Sequence, residues 1–312
     1  MYLRQASEQL HTIRDFIRWG ASRFQEENLF FGHGTDNALD EAAFLVLHAL
    51  SLPQDLPDAY LGSRLTDSEI QKVLNLLERR VAERKPAPYL ARKAWFAGLS
   101  FYVDERVLVP RSPIAELIEH HFQPWLTREP QRILDLGTGS GCIGVALAYA
   151  YPEAQVDASD IELGPLEIAR RNVREHGLEE RVDVLESNLF DALDKRRYDL
   201  IVANPPYVPF ASLGRLPREY RAEPGAALNG GEQGLNLVLP LLRDAGEHLE
   251  RDGLLVLEVG EAQANLTAAL GDVELTWAEF AHGGEGVLIM TGEQTQALHG
   301  TFVQAIETLG LK

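Results

Sequence analysis

Apolar and polar positions change rhythm twice along the chain. Up to about residue 90 the period is helical. Leu10, Ile13, Ile17 and Phe24 recur at helix-like spacing across 7–28. A second helix is expected over 36–52, opened by Asp36-Asn37 and closed before Pro53. A third opens at the capping box Thr66-Asp-Ser-Glu69 and carries Ile70, Val73, Leu74, Leu77 and Val81 on one face. Lys85-Pro-Ala-Pro88 ends it, because proline lacks an amide donor and restricts the residue before it. This predicts a small helical domain at 1–92.

From Trp95 to Pro110 the pattern alternates through Leu99, Phe101, Val103, Val107 and Val109, which predicts an inter-domain hairpin within 93–112. Beyond Pro130, short apolar runs at 132–136, 156–159, 182–185, 200–203 and 254–259 alternate with helical segments such as 165–176, 235–249 and 262–270. That order predicts an α/β domain over 113–312, a doubly wound, mostly parallel sheet of Rossmann-like type. Ligands of such sheets bind at the carboxyl ends of the strands. Segments 273–280 and 286–290 read as a terminal hairpin.

Bulk composition narrows the classes. The 312 residues suffice for one large domain and a smaller one, and 45% apolar content is ordinary for a packed protein. No apolar run approaches the roughly 18 residues of a membrane span. The first residues lack the basic start and apolar stretch of a signal peptide. The single cysteine, Cys142, allows no intrachain disulfide and reads as a packing residue. A cytoplasmic protein is expected. The formal charge of −18 repels duplex nucleic acid, whose binding rests on phosphate neutralisation, and suits a basic protein partner. The basic clusters Arg79-Arg80, Arg84-Lys85, Arg170-Arg171 and Lys195-Arg196-Arg197 are short and read as solvated faces. No metal-ligand set is predicted.

Two strand-to-loop junctions carry the chemistry. In Asp135-Leu-Gly-Thr-Gly-Ser-Gly141 the glycines at 137, 139 and 141 let backbone pass close to a ligand, with Thr138 and Ser140 between them. The helix that follows points free amides at the ligand. Asp160, ending the second strand, is placed to accept ribose hydroxyls. Gly139-Ser-Gly-Cys-Ile-Gly144 also matches the dinucleotide fingerprint, with Asp160 about twenty residues on. Against hydride transfer, the glycines begin too early for that register, and Asp135 lies inside the strand.

The second junction is Asn204-Pro205-Pro206-Tyr207, directly after the fourth apolar run. Asn204 Oδ1 and the Pro205 carbonyl can each accept one hydrogen of a planar –NH2 group, and Tyr207 can stack over it. Acceptors off the amide plane favour pyramidalisation and localise the nitrogen lone pair. Such a turn has no part in hydride transfer. Together the junctions predict methyl transfer from S-adenosyl-L-methionine (SAM) to nitrogen, driven by alignment and fixed dipoles.

At these residues the chain resembles the glutamine methyltransferases that modify translation proteins, a family of class I SAM-dependent enzymes. The resemblance extends through Phe96-Ala-Gly-Leu-Ser-Phe101, Arg106-Val-Leu-Val-Pro-Arg111, Glu223-Pro-Gly-Ala-Ala-Leu228, Gly230-Gly231 and Gly234-Leu235. Pro110-Arg-Ser-Pro-Ile-Ala-Glu116, Phe31-Gly-His-Gly-Thr-Asp-Asn37 and Ala94-Trp-Phe96 are similar to the branch that methylates the third large-subunit ribosomal protein. The alternative branch acts on release factors and usually reads Pro-Arg-Pro-Glu-Thr-Glu after the hairpin. The resemblance implies a basic ribosomal protein as partner, with no direct nucleic-acid requirement and no membrane, and a helical domain that recognises it. It implies a cofactor contact from the step Ser187-Asn188-Leu189-Phe190, where the family commonly has Asp at the Asn188 position. Uncharged Asn188 is expected to weaken cofactor binding while activity is retained. His33 is read as a packing or capping residue.

Two other functions compete. A DNA adenine amino-methyltransferase could use the same turn, but would need base flipping and a basic channel. A non-catalytic ribosome-assembly factor would not need the turn. Residues 209–223, with Arg215, Arg218 and Arg221, are expected to form a flap or an ordinary exposed connection.

Overall fold

The computed structural model describes residues 2–194 and 196–311, so Lys195 of the third basic cluster lies outside the described residues. The chain divides into two compact units. The first comprises Met1–Ala94, Val103–Glu105 and Pro217–Glu223, and the second comprises Trp95–Tyr102, Arg106–Leu216 and Pro224–Lys312.

The first unit is built on helices Tyr2–Gln9, Ile13–Glu26, Ala38–Ala49, Asp67–Glu83 and Ala87–Ala91. The single helix expected over 7–28 is two. Thr12 caps the second of them by accepting the Asp15 amide, while the Asp15 carboxylate accepts the amides of His11 and Thr12. That reciprocal cap starts a new helix, and the apolar spacing alone does not show it. The box at Thr66 and Glu69 starts the long helix as read. Phe16, Phe24, Leu45, Val73 and Leu77 form the centre of the apolar core.

Pro217–Glu223 packs with these helices through buried charge. Arg80 is fully buried; its Nε donates to Glu41 at 2.6 Å, its Nη2 donates to the Phe30 carbonyl, and Glu219 lies 3.7 Å from Nη1. Arg84 pairs with Glu219 at 3.0 Å, and Glu219 accepts the Phe30 amide. Desolvation pushes the Glu41 carboxyl up, against the pull of Arg80. His33 is buried beside the Tyr220 ring, 4.6 Å between centroids, with Nε2 3.6 Å from Glu223. Its surroundings are those of a packing residue. A flap spanning all of 209–223 does not fit this anchoring, because both glutamates of the second half are buried.

The second unit opens with a short hairpin, β1 (Ala94–Phe96) and β2 (Leu99–Phe101). Ala94 itself belongs to the first unit. Val107 and Val109 are buried but lie outside any strand, so the hairpin is shorter than the alternation predicts. The main sheet contains β3 (Arg132–Leu136), β4 (Gln155–Asp160), β5 (Val182–Glu186), β6 (Tyr198–Ala203), β7 (Leu249–Glu258), β8 (Thr276–Trp277) and β9 (Val287–Thr291), ordered β5-β4-β3-β6-β7-β9-β8. The first five in that order are parallel, while β9 runs antiparallel to β7 and to β8.

Strand residues alternate between two apolar layers, as the two-residue pleat requires. Ile133, Leu200, Val202, Leu254 and Val256 enter one layer. Leu134, Leu136, Ile201, Ala203, Leu255 and Leu257 enter the other. The second layer is closed by helices Val238–His248 and His299–Leu309, the latter through Phe302, Ala305 and Ile306.

Candidate active site

Sheet register assembles the site. Leu136 pairs with Ser159 on one side and with Ala203 on the other, and Ala203 pairs with Leu257. The next residue on each of these parallel strands is therefore Asp160, Gly137, Asn204 or Glu258. Adjacent strands lie about 4.8 Å apart. Chain order reverses between β3 and β6, so both loops leave the sheet at its switch point, where a ligand crevice forms. The glycine loop and the Asn-Pro-Pro-Tyr turn are thus brought side by side.

The glycine loop is fixed from beneath. The amides of Gly137 and Thr138 donate to the Ser159 carbonyl, each at 2.8 Å. Asp135 Oδ2 accepts the Thr138 hydroxyl at 2.5 Å and the Gly144 amide at 2.8 Å. Asp135, Thr138 and Ser140 are all buried, and the Asp135–Thr138 hydrogen bond helps hold the loop's shape. Asp135 Oδ1 is left without a protein partner. Burial raises the Asp135 carboxyl to about 7, partly opposed by the Thr138 and Gly144 hydrogen bonds. Gly137 and Gly139 adopt φ of 76° and 55°, and a β-carbon on either would meet nothing within 4 Å. Backbone conformation demands glycine there, and the space above it is open. Gly141 differs, since a β-carbon there would meet Ala169 at 3.2 Å.

Asp160 accepts the amides of Gly139 at 2.9 Å and Glu162 at 3.0 Å, one on each oxygen. Desolvation raises its carboxyl, with those amides pulling it down. Each oxygen keeps a lone pair for a further donor. Ser187 shapes the next loop, donating to the Leu189 carbonyl and accepting the Ala192 amide. Leu189 takes a φ of 48°. Asn188 is exposed, and its Nδ2 donates to Asp191 at 3.1 Å. Cys142 is buried and its thiol is pushed up to about 12 by burial, which makes it inert packing.

The Asn-Pro-Pro-Tyr turn is clamped by residues that carry no obvious signal of their own. The Tyr207 hydroxyl donates to Glu258 Oε1 at 2.8 Å. Gly260 lies so close that a β-carbon there would reach 2.4 Å from the Tyr207 ring. Gly230 and Gly234 approach its backbone in the same way. Beyond the turn, Val208 exchanges hydrogen bonds with the Leu228 carbonyl and the Gly230 amide, and Phe210 donates to the Gly231 carbonyl. The glycine-rich segment after 223 therefore serves as the floor of the turn. Phe210 itself is two-thirds exposed, on the short helix Phe210–Leu213.

Glu258 and Ser112 are the site residues that sequence reading missed. Glu258 interrupts the apolar run of β7, and a carboxylate inside a buried strand is the signal that could have found it.

Comparison with known proteins decides the family. The sequence matches the methyltransferase small domain over residues 115–212, a span that includes both junctions. It is 53% identical to the ribosomal protein uL3 glutamine methyltransferase of Xanthomonas campestris, covering 90% of this chain and 92% of that protein. It is 48% identical to the protein of the same name from Bordetella pertussis, covering 92% and 97%. The chain belongs to the uL3 glutamine methyltransferase family. Among solved structures, the hMettl16 catalytic domain in complex with MAT2A 3′UTR hairpin 6 superposes with a TM-score of 0.50 at 18% identity, over 74% of this chain and 85% of that one. That likeness bears on the fold alone. The second unit of this family member is a class I methyltransferase sheet, and the chain is a methyltransferase. No helix among the described residues is long and apolar enough to cross a membrane.

Proposed function

We propose that this protein transfers a methyl group from SAM to the side-chain amide nitrogen of a glutamine in ribosomal protein uL3, in the cytoplasm. The observation that carries the reading is the register pair Leu136–Ala203, which sets an open glycine loop beside the Asn-Pro-Pro-Tyr turn. The relatives' shared name supplies the substrate.

The residues present fit SAM. Gly137 and Gly139 leave open space along the loop, Asp160 has acceptor capacity for ribose hydroxyls, and Asp135 Oδ1 is an unpaired acceptor in a buried site. Asn188 and Leu189 lie on the loop that would meet the adenine. Ser140 and Gly141 lead into the first turn of helix Cys142–Ala150, whose amides favour an anionic group. When bound, the cofactor supplies an electrophilic methyl on sulfonium.

The protein's own task is to make a poor nucleophile attack. An amide nitrogen shares its lone pair with its carbonyl. Asn204 Oδ1 and the Pro205 carbonyl accept its two hydrogens and fix its direction, while Pro206 stiffens the turn. Tyr207 covers the amide plane and stabilises positive charge beside it. Asn204 also borders the cofactor. Nitrogen loses its proton after methyl transfer, so no strong general base is required.

The test is a methylation assay with radiolabelled SAM, offering purified uL3 and a release factor side by side. Wild type should label uL3 on a glutamine, adding one methyl by mass, and Asn204→Ala should lower the rate by at least about 100-fold, the scale of losing an aligned polar contact. Equal rates in wild type and Asn204→Ala would refute the role given to Asn204. Preferential labelling of the release factor would refute the substrate.

A further inference from the structure

Phe210 is 67% exposed, more than any other large apolar side chain among the described residues, and it belongs to none of their three apolar cores. Single apolar residues scattered over a surface are ordinary. Phe210 differs in its position and in how firmly its backbone is held. It follows Tyr207 by three residues, and Pro206, Tyr207 and Pro209 are each half-buried, so partly exposed rings run from the turn to Phe210 with no charged residue between. The Phe210 amide donates to the Gly231 carbonyl at 2.8 Å, two residues beyond the Val208 amide, which donates to the Leu228 carbonyl at 2.9 Å. Gly231 is fixed in turn: its amide donates to Asn229 Oδ1 at 3.0 Å, and a β-carbon there would fall 2.2 Å from the Asn236 side chain. Pro209 sets φ at −60° where the short helix begins, and its carbonyl accepts the Ser212 amide at 2.8 Å. The glycine-rich floor that carries Tyr207 thus carries Phe210 as well.

An exposed ring contributes little to folding, because apolar stabilisation comes from removing surface from water. Its reach is set by chain geometry. Three peptide steps of about 3.8 Å place the Phe210 Cα no more than about 11 Å from that of Tyr207. An extended polypeptide covers that distance in about three or four residues, at about 3.3–3.6 Å each. A substrate whose glutamine occupies the turn, and whose chain leaves toward 210, passes over the ring.

We propose that Phe210 is a substrate-docking residue, whose ring packs against an apolar side chain of uL3 within about four residues of the target glutamine. This rests on the function proposed above, which puts that glutamine in the turn. Continuity with the turn identifies the occupant, since the segment that enters the turn is the chain that must run beside it. The backbone beneath the ring is held before substrate arrives, so engaging it costs little ordering entropy. Phe210 touches no reacting atom. It binds the substrate equally before and during methyl transfer, and so sets affinity while leaving the chemical step alone.

Steady-state methylation with SAM and purified uL3 tests this. Phe210→Ala should raise the KM for uL3 by about 10-fold or more, the scale of truncating an aromatic anchor at an interface. Its kcat should stay within about twofold, the signature of lost uniform binding. The SAM dissociation constant and the urea midpoint should match wild type, because the ring lies outside the glycine loop and outside the cores. Phe210→Leu keeps an apolar side chain and should recover most of the KM. Mass mapping of the labelled glutamine should find an apolar residue within about four positions of it. Replacing that residue by alanine should raise KM for wild type and cost nothing further in F210A. An unchanged KM in F210A, losses that multiply, or no apolar neighbour beside the labelled glutamine overturns the proposal. So does light scattering that finds a wild-type dimer lost in F210A, since a second copy of the chain would then cover the ring. If wild type labels no glutamine of uL3, the proposed function falls; labelled uL3 with a wild-type KM in F210A removes only the role of Phe210.

Discussion

Gly234 sits directly against the Tyr207 carbonyl: a β-carbon at position 234 would come 2.1 Å from that oxygen. Gly234 also holds a φ of 78°. Alanine there is strained in its own backbone and overlaps the turn proposed to grip the substrate. Gly234→Ala should therefore displace Tyr207 and lower methyl transfer by about 100-fold, the cost of a misplacement near 1 Å. Gly271→Ala is the control, since its φ of 65° is likewise positive but no atom lies within 4 Å of the added carbon. G271A should lose more than about 1 kcal/mol of stability and no activity. Equal activity in both variants would remove the floor role of Gly234.

The departure at Asn188 has a local cause. Its Nδ2 donates to Asp191 at 3.1 Å, so an aspartate at 188 would face a second carboxylate at hydrogen-bonding distance. Charge repulsion would offset what a charged acceptor gains from the cofactor. Asn188→Asp alone should leave the SAM dissociation constant within about threefold of wild type. Asn188→Asp combined with Asp191→Asn should tighten binding by roughly tenfold, one charge-assisted hydrogen bond's worth. Isothermal titration of both variants checks this, and tighter binding by the single variant would show that Asp191 does not matter.

Much of the fold was legible because the pleat and the helix write different periods. Residues 132–136 form β3 as read, and 182–185 fall within β5. Residues 254–259 gave only the second half of β7, because Glu250, Arg251 and Asp252 at its start are polar and exposed or half-exposed. The closing helices Gly292–Ala297 and His299–Leu309 escaped, since the first has few apolar positions and the second pairs Phe302 with Ile306 amid polar residues. The site divides in the same way. Its two loops stand out as contiguous motifs, but Glu258 and Ser112 are 146 residues apart and meet only through folding. Likewise, nothing in the composition of 217–223 announces that Glu219 is buried against Arg80; only the tertiary structure does.

Neighbouring arginines in the helical unit should differ sharply. Arg80 is wholly buried between Glu41 and Glu219, whereas Arg79 pairs with Glu83 on the surface, both side chains about 40% exposed. Removing Arg80 leaves the Glu41 carboxylate buried without its counter-charge, while Glu219 keeps Arg84, and Arg80→Ala should cost about 3–5 kcal/mol. Arg79→Ala should cost under about 0.5 kcal/mol. Hydrogen exchange should also show Pro217–Glu223 losing protection in R80A and keeping it in R79A. Urea denaturation gives the energies, and similar values for the two would contradict the burial.

Asp135 makes the methyltransferase unit sensitive to pH. Its carboxyl ordinarily titrates near 3.8 and is raised to about 7 in the folded protein, chiefly by burial. Between those values the folded state binds a proton that the unfolded state has released, so stability is greatest below the lower value and falls as pH rises through the higher one. Asparagine keeps an acceptor for the Thr138 hydroxyl and the Gly144 amide but cannot ionise. The stability of wild type minus that of Asp135→Asn should therefore drop by roughly 3 kcal/mol between pH 5 and pH 8, since the folded carboxyl titrates about two units above pH 5 and each tenfold difference in proton affinity is worth about 1.4 kcal/mol. The other buried carboxyls cancel in the difference because both proteins contain them. Urea midpoints measured at the two pH values give the number. A difference that stays constant, or that grows in favour of wild type as pH rises, would mean that Asp135 is ionised in the folded protein and that its charge is held by the loop above it.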